Sequence, residues 1–317
     1  MYYIGVDLGG TNIAVGIVDE NGKILRQGSV PTNAGRPGDE IVKDMASLSR
    51  KLLAEEGLTL DDIEYAGIVS PGAVDHDNGI VTRATNLKFE FYHIADRLKE
   101  FLGVKKVYVE NDANAAALAE AVCGVAKDCK FMVMITLGTG VGGGIVLDKK
   151  VYSGFNYAGA ELGHMVIQVD GRPCPCGRKG CWEAYSSATG LVNMTKEKLA
   201  ETKDTIMWEM VDNNIENANP RTAFDAMRKG DKAAKEVVDV FIHYLAEGIC
   251  NLINIFQPEM LVIGGGLSNE KNYLVDPINE VIDKMQFTSG YLEKTKIVIA
   301  ELGNDAGIVG AAMLGKQ

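Results

Sequence analysis

The sequence predicts an α/β protein of two lobes. Three observations predict it. Short apolar strands alternate with segments whose apolar residues recur at helical spacing. A strand ending in Asp7-Leu8-Gly9-Gly10-Thr11, followed at once by another strand, is echoed far along the chain by Thr136-Leu137-Gly138-Thr139-Gly140. A length of 317 residues suits two lobes better than one.

Residues 2–6 form a short apolar strand and 12–18 a second. Asn21-Gly22 is a hairpin turn signal, and 23–30 returns as a third strand. Gly35-Arg36-Pro37-Gly38 breaks the chain. The helix expected over 39–56 places Ile41, Met45, Leu48 and Leu52 on one face, with Gly57 as its C-cap. A strand over 65–69 closes at Ser70-Pro71-Gly72. A helix is expected over 91–101, a strand over 107–110 and an Ala-rich helix over 113–122. The first lobe therefore reads βββ-α-β-α-β-α. Strands over 131–136 and 141–147 restart the pattern. Helices follow over 187–202, 220–229 and 231–256, then a buried strand over 260–263 that ends in Gly264-Gly265-Gly266. A strand over 296–300 and a closing helix over 305–314 complete the chain. The expected division is a small N-terminal lobe of 1–122 plus 302–317 and a larger C-terminal lobe of 123–301.

A formal net charge of −11, with no Lys/Arg run to override it, repels nucleic-acid backbones and anionic lipid surfaces. Neither class of partner is expected. No apolar stretch reads as long enough to span a bilayer, and no charged leader or cleavage site precedes the first strand. Three of the six cysteines gather in one loop, which fits a reducing compartment better than a disulfide framework. The expected location is the cytoplasm. Cys123, Cys129 and Cys250 lie in apolar contexts and read as core fillers.

The stretch ELGHMVIQVDGRPCPCGRKGCWE, residues 161–183, carries the strongest chemical signal. Cys174, Cys176 and Cys181 crowd a short loop and His164 lies just upstream. Three thiols and an imidazole suit a closed, tetrahedral structural zinc site. A disulfide is a poorer reading, since Cys-x-Cys neighbours bridge badly; free thiols are the plainer alternative. Glu161 and Glu183 bracket the loop, so one ion there would fix two carboxylates and order a wall that binds a polyol.

The two glycine turns suggest a phosphate clamp, because glycine lets backbone N–H groups approach phosphate oxygens. Thr11 and Thr139 add hydroxyl donors, and Asp7 is placed to hold Mg²⁺ beside nucleotide phosphates. The run Gly138-Thr139-Gly140-Val141-Gly142-Gly143 has G-x-G-x-x-G spacing, but a strand follows instead of the helix that a dinucleotide site requires. A protein-kinase loop is excluded by the lack of H-R-D and D-F-G. Asp112, between a strand and a helix, is the best candidate for a base that takes the proton of an acceptor hydroxyl. The plain alternative is an N-cap aspartate. Asn86, Asn111 and the backbone at Gly72 are further polar candidates.

Taken together, Asp7-Leu8-Gly9-Gly10-Thr11, Glu110-Asn111-Asp112-Ala113-Asn114-Ala115, Leu137 to Gly144, Glu161-Leu162-Gly163-His164 and the cysteine loop ending in Trp182-Glu183 resemble the ROK family of sugar kinases. The resemblance runs from Tyr2 to Leu314. It implies an actin-like ATPase (ribonuclease H-like) fold, with two α/β lobes flanking a catalytic cleft. It implies that Asp112 activates a sugar 6-hydroxyl, and that Asn86, Asn111, Glu161, His164 and Glu183 bind the sugar, with Gly72 kept as a candidate from the residues alone. It implies Zn²⁺ on His164, Cys174, Cys176 and Cys181, with the other His164 ring nitrogen serving the sugar. Gly9, Gly10, Thr11, Gly138, Thr139 and Gly140 match the phosphate turns for Mg·ATP, and Gly265 and Gly266 the turn near base and ribose. A homodimer or homotetramer is implied too.

Within the family, Gly180 to Gly190 looks most like glucokinases. The segment after Asn86 departs from the pattern: Phe89 stands where many members carry Trp. The alternatives are a kinase for fructose, mannose or an N-acetylated amino sugar, and a sugar-responsive repressor. For the repressor, a first strand at Tyr2 leaves no room for a preceding helix-turn-helix, and the acidic charge weighs against DNA.

Overall fold

The computed structural model describes residues 1–317 except Gln286, Thr288 and Ser289. The chain divides into two compact units. Met1–Met132, Gly144–Ala160 and Glu301–Gln317 form one; Val133–Gly143 and Glu161–Ala300 form the other.

In the first unit, β1 (Tyr2–Leu8), β2 (Asn12–Asp19) and β3 (Ile24–Pro31) make an antiparallel meander, followed by α1 (Gly38–Glu56) and β4 (Ile63–Ser70). Three short strands, β5 (Ala73–Asp75), β6 (Ile80–Ala84) and β7 (Phe89–Tyr92), make a separate small sheet. Then come α2 (Ile94–Leu102), β8 (Val107–Asn111) and α3 (Asp112–Val122). The main sheet has the order β3-β2-β1-β4-β8, with β1–β4 and β4–β8 parallel.

Strand alternation sorts β1 into two faces. Ile4, Val6 and Leu8 join a core with Ile41, Met45, Leu48 and Leu52 of α1 and Leu98 of α2. Tyr3 joins Leu118 of α3 in the other core. Asp7 shares the parity of Tyr3, so it points to the face that α3 covers. The expected helix over 91–101 starts only at Ile94, because Phe91 and Tyr92 belong to β7. Phe91 has a left-handed φ of 45°, which no helix continues. The β5–β7 sheet was not legible, since its strands are too short for periodicity to register.

The remaining elements are β9 (Phe131–Leu137), β10 (Val141–Leu147), β11 (Lys150–Val151), α4 (Glu183–Ser186), α5 (Ala188–Glu201), α6 (Met207–Met210), α7 (Thr222–Arg228), α8 (Lys232–Phe256), β12 (Met260–Gly264), α9 (Asn272–Met285), β13 (Lys296–Ile299) and α10 (Ala306–Met313). They include a sheet of order β11-β10-β9-β12-β13, and the unit boundaries fall within β9 and β10. α10 belongs to the first unit, where Ile308, Val309 and Met313 complete the core around Tyr3. In the second unit, α9 was not foreseen; Pro277 inside it mimics a helix break.

One expectation is overturned by α8. At 25 residues and mean hydropathy 1.2 it is long and apolar enough to cross a membrane by length and composition. Its apolar stripe, from Ala234 through Phe241 and Leu245 to Ile253, is instead buried in the protein, and α8 packs against α4, α5, α7 and α9. Asp231 caps it by accepting from Ala234 N at 2.8 Å.

Candidate active site

In the first unit, parallel pairing carries three loops to one end of the sheet. The register sets Asp7 beside Val69, Val69 beside Glu110, and Ser70 beside Asn111. The C-terminal ends of β1, β4 and β8 therefore deliver Asp7, the Ser70-Pro71-Gly72 turn and Asn111-Asp112 together, the end of a parallel sheet where ligands usually bind. Asn111, not Asp112, is the N-cap of α3: its Oδ1 accepts from Ala113 N at 2.9 Å and Asn114 N at 3.3 Å. This corrects the capping alternative for Asp112, which is the first helical residue. Asn111 Nδ2 also donates to Gly72 O at 3.0 Å, joining two sequence-predicted positions.

Asp112 remains open to solvent but is deeply seated, and this desolvation raises its pKa. Hydrogen bonds from Ala113 N, from its own amide and from Asn111 partly offset the rise. Burial pushes the Asp7 carboxyl up to about 6, and the charge of Asp112 adds to the shift. The negative charge of Asp112 thus opposes ionisation of Asp7. Among the described residues neither carboxylate has a Lys or Arg partner within ion-pair distance. Two clustered acids without a counter-cation suit a divalent ion. Thr32 Oγ1 donates to Gly9 O at 2.7 Å, and Thr32 N to Thr11 O at 2.8 Å, which fixes the Gly9-Gly10-Thr11 turn. The exposed Asn86 lies over that turn, with Nδ2 3.2 Å from where a Cβ on Gly10 would stand.

In the second unit, the turn Gly138-Thr139-Gly140 joins β9 to β10, and its carbonyls are all engaged. Gly138 O accepts from Ala188 N at 2.8 Å, Thr139 O from Thr189 Oγ1 at 2.7 Å, and Gly140 O from Gly138 N at 3.0 Å. With the Gly138 and Thr139 oxygens bound to α5 and the Gly138 N–H engaged within the turn, the Thr139 and Gly140 N–H groups are the ones suited to an anion. Gly265, at φ 81°, brings its backbone so close that a Cβ would lie 2.6 Å from Leu137 N and O. Gly266 lines a cavity of about 1040 Å³ with Gly138, Thr139, Asn219, Arg228 and Tyr273. Sequence reasoning found the glycines of this cavity and missed the rest. Arg228 donates to Glu270 Oε2 at 2.5 Å, and its guanidinium carbon lies 5.1 Å from the Tyr273 ring centroid. These residues come from α7 and the loop before it, and from the start of α9 and the segment leading into it, with no local motif.

The zinc-type loop is well formed. His164, Cys174, Cys176 and Cys181 place one ligand atom each within 4.8 Å of one another. Cys176 Sγ to Cys181 Sγ is 3.6 Å, and Cys174 Sγ to His164 Nδ1 is 3.7 Å. Zinc bonds of about 2.0–2.3 Å set tetrahedral ligands about 3.3–3.8 Å apart, so the four residues fit the ion. Nδ1 faces the sulfurs, which leaves Nε2 for another partner. The scaffold is backbone: Gly180 N donates to Arg172 O at 2.7 Å, Ile167 N to Gly180 O at 2.9 Å and Cys174 N to Arg178 O at 2.9 Å. Trp182, fully buried, anchors the loop to α8 through Nε1 to Tyr244 O at 3.0 Å. Burial pushes the Cys181 thiol up to about 12 and raises Cys174, whereas the Arg178 amide lowers Cys176.

Glu183 links this loop to the glycine turn. Its Oε2 accepts from Val141 N at 3.0 Å, and its Oε1 lies 3.9 Å from Cys174 Sγ. A Cβ on Gly140 would stand 2.2 Å from the same Oε2, so a side chain there would displace the Glu183 carboxylate. Glu161 is exposed and precedes the short turn that carries His164.

A family model described as ROK family matches residues 3–317. The chain is 36% identical over 318 residues to the glucokinase of Thermotoga maritima, covering 99% of this chain and 97% of that protein. It is 31% identical over 324 residues to the N-acetyl-D-glucosamine kinase of Aliivibrio salmonicida, covering 99% of each. The crystal structure of a ROK family glucokinase from Streptomyces griseus in complex with glucose and AMPPNP matches with a TM-score of 0.80 at 33% identity, over 99% of each chain. The fold is the actin-like ATPase fold expected from the sequence.

Proposed function

We propose that this chain, which belongs to the ROK family across residues 3–317, is an ATP-dependent glucokinase that phosphorylates the 6-hydroxyl of glucose with Asp112 as general base. One observation carries the chemical part: a carboxylate with a raised pKa, without a cationic partner, at the first turn of α3. Such a base accepts the hydroxyl proton as the oxygen bonds to the γ-phosphoryl and ADP departs. The reaction is phosphoryl transfer, so most of the work is positioning and charge stabilisation.

Asn86, Asn111, the Gly72 backbone, Glu161, His164 Nε2 and Glu183 are the sugar-binding groups of this reading. Gly9, Gly10, Thr11, Gly138, Thr139 and Gly140 cradle the phosphates. Gly265 and Gly266 border the base and ribose, which the cavity beside Arg228 and Tyr273 suits in size. Asp7 would hold Mg²⁺, which when bound neutralises phosphate charge. Zn²⁺ on His164, Cys174, Cys176 and Cys181 would fix the ring of His164 and the start of α4, and hence Glu183. The protein acts in the cytoplasm as a homo-oligomer.

The test is a coupled assay over a hexose panel with ATP. Glucose should give the highest kcat/KM. N-acetylglucosamine is the second reading, favoured by the 31% identity to a kinase for that sugar; comparable efficiency on it would overturn the choice of glucose.

A further inference from the structure

Glu110 is buried, 2% exposed, and among the described residues has no Lys or Arg partner. A lone buried carboxylate is costly unless its oxygens are fully engaged. Its Oε1 accepts from Asn111 N at 2.9 Å and from Asn114 Nδ2 at 3.1 Å. Those bonds grip the cap and the first turn of α3 on either side of Asp112. Its Oε2 lies 3.3 Å from Nδ1 of His76, on the turn between β5 and β6. That nitrogen is inaccessible to water and lacks a well-aligned bond, and Glu110 is its ion-pair neighbour. The outer side of the imidazole is also held. Its Nε2 is 3.5 Å from Asp77 Oδ1. The Tyr157 ring packs edge-on with centroids 4.6 Å apart, and the Tyr157 hydroxyl donates to Asp77 Oδ2 at 2.7 Å. Asp75 contributes a further negative charge nearby. The imidazole is thus set among carboxylates, with one edge aimed at the residue that clamps α3.

We propose that His76 is a positioning residue for phosphoryl transfer: through Glu110 it fixes Asn111 and Asp112 at the start of α3. The inference rests on Asp112 being the base. His76 touches no reacting atom; it holds Glu110 in the rotamer that receives the Asn111 amide. Asparagine at position 76 retains an N–H donor near the place of Nδ1, whereas leucine fills the space without one.

The experiment is a double-mutant cycle in the full-length protein, with His76→Leu, Glu110→Gln and the double variant, and His76→Asn as the conservative control. His76→Leu should lower kcat about tenfold with glucose KM within about twofold, and His76→Asn should recover most of the loss. In the Glu110→Gln background, His76→Leu should cost less than about twofold. Amide exchange at residues 111–114 should quicken in His76→Leu and stay near normal in His76→Asn. Equal losses of kcat in both Glu110 backgrounds, or equal defects in the leucine and asparagine variants, would overturn the proposal. The exchange readout does not depend on turnover. If it behaves as expected while Asp112→Asn retains activity, the base assignment fails and the clamp stands.

Discussion

The cysteine loop and the carboxylate pair are built by opposite means. In the loop, four ligand residues fall between His164 and Cys181, and short-range backbone bonds such as Gly180 N to Arg172 O set their geometry. In the first unit, Asp7 on β1 and Asp112 at the start of α3, just after β8, are far apart in sequence and meet because β1, β4 and β8 pair in parallel. On the proposed reading an ion would cross-link the loop, whereas the carboxylates are held by a packed sheet. A metal-dependent site and a fold-dependent site should therefore fail differently.

The largest contrast comes from Asp112→Asn. It should lower kcat by roughly 10³-fold, within the range of general-base contributions, while glucose affinity measured by calorimetry changes little. Near-normal turnover would place the base elsewhere.

Next in size is metal removal. Cys174→Ser, or exhaustive chelation, should abolish the one zinc expected per chain and lower the thermal midpoint, because structural sites contribute on the order of 10 kcal/mol to local folding. Retained activity in a preparation shown by elemental analysis to lack zinc would remove the metal from the account. The raised thiol pKa values of Cys174 and Cys181 add a direction: zinc affinity should weaken as pH falls, since bound thiols release protons.

Asp7→Asn sharpens the comparison from the other side. Asp7 has a folded pKa of about 6, raised from 3.8. Its protonated form is favoured in the fold, so this contribution is fully present below pH 3.8 and is lost as pH rises through about 6. Asn should therefore stabilise the metal-free protein at pH 8, by at most about 3 kcal/mol, and have little effect near pH 4. Phosphoryl transfer should fall sharply in the same variant. Equal stability changes at both pH values, read by denaturant titration, would show that Asp7 is not titrating as described.

The smallest effect is on the pH profile. The acid limb of kcat/KM should lie above the ordinary carboxylate range, because Asp112 must be ionised and burial raises its pKa. A limb at the usual aspartate value would deny that desolvation matters at this site.

The chain itself determined whatever depends on near neighbours. Spacing located the Cys/His cluster and the two Leu-Gly turns, alternation located β1, β2, β9 and β10, and Gly57 was legible as a cap, with φ 71° in the fold. The strands β5–β7 escaped because short strands carry almost no periodic signal, and α9 because Pro277 imitates a helix end. The cavity lined by Asn219, Arg228 and Tyr273, the grip of Glu110 on α3 and the meeting of Asp7 with Asp112 were settled only in three dimensions. The physical reason is strand register: hydrogen bonding between segments remote in sequence fixes which side chains share a face, and no local pattern encodes that pairing.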